Sequence, residues 1–286
     1  MSEKIQDLMP ESEDMARWQN NLERLLHDAP ERPKTRGDSM DEILAWSMPL
    51  SHATGASSFR TALQEGMLLS FPKLVEAGRE LPRSVESPRV ETILGTENFV
   101  FTYAAPFRYP STDCGFLFRA EVEQLRSDAA VATPFDSGAT VKYLRPRDSK
   151  EEQVAFVRTH ELPVPEYRRL LARMLAGCFD SPWDYIHGQD PAELWPIPVE
   201  GGDQRRWTFE VRFQDVLELQ HHLIAVFLPE NVATEVDILS LLERWEAEGI
   251  DVVEYLSWED LETGAELFRH CAEYVLRLLG RGDRAT

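Results

Sequence analysis

Apolar positions along the chain switch several times between a helical and an extended period. Over Glu13–His27 the residues Met15, Trp18, Leu22, Leu25 and Leu26 share one face, which predicts an amphipathic helix. Pro30, Pro33 and dense charge over Asp28–Met40 read as a linker. Residues 1–40 are therefore expected to be a helical extension, and residues 41–286 the main domain. A short apolar run ends in a strand at His52, small polar residues from Thr54 to Ser58 offer helix N-caps, and Phe59, Ala62 and Leu63 fall at helical spacing. Gly66 closes that helix, and Met67–Leu69 start the next element. Asn98–Tyr109 opens as an aromatic, β-branched strand that Pro106 ends, which leaves Phe107, Arg108 and Tyr109 on a loop. Gly115–Val122 is a further strand.

Downstream, Pro165–Phe179 predicts a helix with Tyr167, Leu170, Leu171, Met174 and Leu175 inside. Asp180–Pro198 is irregular and rich in Pro and Trp, a composition suited to a lid or a partner surface. From Arg205 to Phe213 the pattern alternates, with Trp207, Phe209, Val211 and Phe213 on one face and Thr208, Glu210 and Arg212 on the other. Asp215–Leu219 reads as coil or a helical turn, and Leu223–Pro229 as a buried strand. Helices over Val236–Glu248 and Trp258–Leu279 flank a short edge strand at Ile250–Tyr255. Thr133–Thr140 holds Asp136-Ser137-Gly138. Two such loops facing each other make an aspartic-protease site, but one copy reads better as a turn in which Gly138 takes a positive φ.

Composition narrows the function classes. The 286 residues are 43% hydrophobic, enough for one large or two small cores. Cys114, Cys178 and Cys271 lie far apart with no C-x-x-C pair, which suits a reducing compartment and argues against a thiolate metal site. No run is long enough to span a bilayer and no leader is evident, so a cytoplasmic location without membrane contact is expected. A formal charge of −20 disfavours general nucleic-acid binding and leaves room for a basic protein partner. No metal-ligand spacing, phosphate loop or repeat is evident.

Three of these stretches carry chemistry in one order. His52-x-Thr54 before a short helix, the Tyr103 strand ending in Pro106, Arg108 and Tyr109, and Arg206 with Glu210 on a late strand together resemble the ADP-ribosyltransferase superfamily. The similarity is to its DNA-targeting toxins and, in the opening motif, to the RNA 2′-phosphotransferases. It implies an α+β fold with a split mixed or antiparallel sheet and flanking helices. It also implies NAD as substrate and ADP-ribosyl transfer to a macromolecular acceptor, as in a bacterial toxin or defence effector. By that resemblance His52 and Thr54 position NAD, Tyr103 or Tyr109 stacks the nicotinamide, and Glu210 stabilises the oxocarbenium. Arg108 or Arg206 then holds the pyrophosphate or assists the acceptor. Read without it, His52 caps a local turn, Tyr103 is core, and Glu210 pairs with Arg206 or Arg212 at the surface. Hydrolysis of NAD, or a non-catalytic scaffold binding a protein through its acidic surface, are the alternatives.

Overall fold

Strands with no polar positions belong at the middle of a sheet, where both faces are covered. Two segments of this kind, Cys114–Phe118 (β4) and Leu223–Pro229 (β8), lie side by side in the computed structural model. The structure describes Asn20 and residues 45–79, 90–106, 112–125, 129–138, 148–179, 182–188, 209–256 and 263–282. The expected N-terminal helix, the linker and the boundary at residue 40 lie outside these. The architecture is α+β. A seven-stranded mixed sheet runs in the order β5-β6-β3-β1-β4-β8-β9 and helices flank it. Its remaining strands are Leu50–Thr54 (β1), Phe99–Ala104 (β3), Ala130–Thr133 (β5), Glu210–Gln214 (β6) and Asp251–Tyr255 (β9). β1 runs antiparallel to β3 and β4, β4 antiparallel to β8, and β8 parallel to β9. Met67–Leu69 (β2) and Val216–Glu218 (β7) form a separate antiparallel pair.

The chain divides into two compact units. One comprises Ser47–Val131 and Val211 onward. In it the helix Ala56–Glu65 buries Phe59, Ala62 and Leu63, and Phe59 packs on Phe116 of β4 with ring centroids 4.8 Å apart. Gly66 takes the left-handed φ of 72° that its C-cap position requires. The start of that helix differs from expectation: Gly55 is the N-cap and no side chain caps it. Trp245 and Arg244 of the helix Val236–Ala247 donate hydrogen bonds to the Leu63 carbonyl at 3.2 and 2.5 Å. The C-terminal helix Thr263–Gly282 buries Leu267, Cys271 and Val275. β7 is a further difference, since the coil reading of Asp215–Leu219 missed its pairing with β2. Asp215, at φ 62°, makes the tight turn between β6 and β7, and its N–H donates to the Asn98 carbonyl.

The other unit comprises the described residues up to Trp46 and Ala132–Glu210. The helix Val164–Cys178 buries all five residues of its expected stripe, with Tyr167 against Phe209. Arg168 is 1% exposed; its guanidinium donates to the Ala45 carbonyl at 2.5 Å and lies over the Tyr167 ring. A helix at Lys150–Thr159, unforeseen, starts with a capping box in which Ser149 and Glu152 exchange side-chain and backbone hydrogen bonds. Within the stretch expected to be irregular, Pro182–Ile186 forms a helix, and residues 189–198 lie outside the described ones.

The thiols follow from this burial. Cys114 and Cys271 are in no disulfide and are fully buried, and burial, aided by the Asp113 carboxylate, pushes the Cys114 thiol far above its ordinary range. The thiolate is the reactive form. Native protein treated with a maleimide at pH 7 is therefore expected to leave both residues unmodified, and the unfolded chain to label both, as mass spectrometry of tryptic fragments will read.

Candidate functional site

His52 sits where the β1–β3 ladder stops. The last paired residues are Ser51 and Tyr103. Beyond them the imidazole turns toward β3, and its Nδ1 lies 2.7 Å from the Phe101 carbonyl oxygen. A carbonyl only accepts, so Nδ1 carries the proton and a neutral ring keeps Nε2 as an acceptor. The ring is half-buried over Phe116, centroid to centroid 6.3 Å. Burial lowers its pKa below the ordinary 6.5, and the Phe101 hydrogen bond opposes this more weakly. The local geometry therefore makes a neutral imidazole with a fixed tautomer. Thr54 is half-buried at the end of the same strand, opposite Cys114.

The lowered pKa has a sign for stability. Unfolded chain takes up a proton below pH 6.5 that the native ring resists, so this contribution is complete above that pH and is lost as pH falls below it. Nitrogen-15 NMR is expected to show the Nδ1–H tautomer at pH 7 and a titration midpoint below 6.5.

Tyr103 is buried within the sheet. In an antiparallel pair, directly opposed residues share a face and neighbours along a strand alternate. Tyr103 opposes Ser51, so its side chain lies on the face away from His52, and it is 6% exposed. The two do not face each other across one pocket. Of the remaining expected residues, Arg108, Tyr109 and Arg206 lie outside the described residues.

Glu210 opens β6 and is 1% exposed. A buried carboxylate requires donors. Ser137 supplies two: its Oγ–H donates to Oε1 at 2.8 Å and its backbone N–H to Oε2 at 3.1 Å. One residue thus grips both oxygens and fixes the plane of the carboxyl group. The alternative of a surface-exposed pair fails here, because both faces of β6 are covered: Val211 and Phe213 are buried, and so are Glu210 and Arg212. Arg212 lies over the Phe99 ring at 5.4 Å. The Asp136-Ser137-Gly138 segment is also corrected in detail. Gly138 is not among the positive-φ glycines, and Ser137 and Gly138 are helical, with the Ser137 N–H donating to Glu210. Sequence reading missed the role of Ser137, whose partner is distant along the chain; the Ser-Gly pair following Asp136 was its only signal.

Among the described residues no group of His, Cys, Asp and Glu is arranged to hold a metal ion, and no helix is long and apolar enough to cross a membrane.

No family model matches the chain, and no curated protein matches it. Matching solved structures include three of DarT from Thermus sp. 2.9. The complex with NAD+ is 13% identical, with 73% of this chain and 96% of that one covered and a TM-score of 0.41. The complex with ADP-ribosylated ssDNA is 12% identical, with 73% and 94% covered and a TM-score of 0.44. The complex with carba-NAD+ is 12% identical, with 73% and 95% covered and a TM-score of 0.40.

Proposed function

We propose that this protein cleaves the nicotinamide–ribose bond of NAD and transfers ADP-ribose to a macromolecular acceptor, as a toxin or defence effector would. The observation that carries the reading is the Glu210 carboxylate, buried and held by two donors from Ser137. Departure of nicotinamide passes through an oxocarbenium-like transition state, a developing cation of the kind glycosidases meet with carboxylates. An anion already locked in orientation pays no reorganisation cost when that charge appears. His52 supports the same reading: a neutral ring with Nδ1 committed to Phe101 offers Nε2 to a hydroxyl of the adenosine-side ribose. Thr54, on the same strand, adds a second polar contact for NAD.

The burial of Tyr103 on the face away from His52 leaves Tyr109 as the residue to stack the nicotinamide. Arg108 and Arg206 are the cations assigned to the pyrophosphate and to the acceptor. With a net charge of −20, this chain is better suited to an acceptor that is not held by extended phosphate contacts.

The 1% exposure of Glu210 favours a second reading, in which the carboxylate fixes the Ser137 turn of a non-catalytic scaffold. Ser137→Ala separates the two. It removes the Oγ–H donor and keeps the N–H, at an expected stability cost of about 1–3 kcal/mol for the under-satisfied carboxylate. On the catalytic reading, nicotinamide release falls about tenfold in kcat with KM little changed, since the interaction matters most as charge develops. On the scaffold reading the variant loses stability alone, and neither protein releases nicotinamide.

A further inference from the structure

A strand at the edge of a sheet leaves half of its backbone donors and acceptors without a ladder, and proteins either guard such an edge or use it. Among the described residues β9 has β8 as its one strand neighbour. Its edge opens into a groove of about 480 Å³ whose floor is the run Gly249–Val253 and whose far wall is Tyr274, Arg277 and Leu278 of the C-terminal helix. The wall is fixed: the Tyr274 hydroxyl donates to the Asp251 carboxylate at 2.6 Å, and its ring meets Phe227 of β8 edge-on at 5.6 Å. Val252 and Val253 are half-exposed along the edge, and Asp251 and Glu254 are exposed.

The charges select the occupant. Alternation along β9 puts Asp251 on the helix side and Glu254 on the opposite side, and Glu246 joins Asp251 as the second carboxylate lining the groove. The cation there, Arg277, lies over the Tyr274 ring. A second copy of this chain would set its own Asp251 and Glu254 against the same carboxylates, which like-charge repulsion across a strand pair opposes. We infer that the β9 edge is a docking site for an extended, lysine- or arginine-bearing peptide segment, which adds to the sheet as an eighth strand. Backbone hydrogen bonds would supply the grip, and basic side chains on either face would each meet a carboxylate.

The test uses the full chain and a capped seven-residue peptide of four lysines and three valines, labelled for fluorescence anisotropy. Binding is expected, with weakening as salt rises. Glu254→Lys, a change at an exposed position, is expected to weaken it about tenfold. At saturating peptide, hydrogen exchange at the Val252–Glu254 amides is expected to slow. A peptide of the same sequence N-methylated at alternate residues keeps the charges and loses the donors, and is expected not to bind. The inference is overturned if the N-methylated or a glutamate-for-lysine peptide binds as tightly, if β9 exchange is unchanged at saturation, or if no peptide binds. Self-association of the chain through β9, seen by sedimentation and abolished by Glu254→Lys, would equally overturn it.

Discussion

Glu210→Gln is expected to lower nicotinamide release about 10²–10³-fold, the cost of losing one preorganised charge-stabilising group at a cationic transition state. The substitution keeps volume and shape, so the strand and its neighbours have no reason to move. It keeps both contacts in one orientation only: the amide oxygen accepts the Ser137 N–H, and the amide nitrogen donates to Ser137 Oγ, whose own proton then loses its carboxylate acceptor. Stability is therefore expected to fall by about 1–3 kcal/mol, the penalty for an unmet buried donor. Glu210→Asp adds a control, since it keeps the charge but draws it back by one methylene. Loss of activity there with calorimetrically normal folding would show that position, beyond charge, matters.

Phe116→Ala is expected to cost about 3–5 kcal/mol, the range for truncating a fully buried aromatic ring. Phe116 is unexposed at the centre of β4, between Phe59 of the covering helix and Phe118, with the His52 ring 6.3 Å away. Its removal opens a cavity beneath the imidazole. Water reaching His52 weakens the desolvation that lowers its pKa, so the midpoint is expected to rise toward 6.5 in any folded fraction. Urea unfolding reads the first effect and NMR titration the second. An unchanged His52 midpoint in a folded variant would mean that Phe116 does not supply that burial.

Much of the frame was legible because its signals are local. The run Leu223-Ile-Ala-Val-Phe-Leu-Pro229 has no polar position and is the buried strand β8 with those bounds. The stripes on the helices Ala56–Glu65 and Val164–Cys178 repeat at 3–4 residues and are buried as read. Ile250–Tyr255, short and bounded by Gly249 at φ 85°, is the edge strand it was expected to be. Short strands without a strong period escaped, namely β5 and β7, whose existence depends on the partners they meet. The helix Lys150–Thr159 has a weak apolar stripe, although its Ser149-x-x-Glu152 capping box was open to reading.

The site was legible only in its residue types. A period-2 pattern tells which residues of β6 alternate but not whether a second layer covers the polar side, so a surface pair stayed open as an alternative for Glu210 and Arg212, which are both buried. The bond between Ser137 and Glu210 joins residues 73 apart in the chain, and no local pattern announces it. The tautomer of His52 likewise follows from where the β1–β3 ladder stops, a matter of register.

The direct test of the proposed NAD-consuming activity is incubation of the purified protein with NAD labelled in the adenine moiety, with and without cell lysate. Nicotinamide release is expected, with label transferred to macromolecular material, abolished in Glu210→Gln and weakened in His52→Ala. Absence of both release and calorimetric NAD binding at millimolar concentration, in protein with a native unfolding transition, would contradict it.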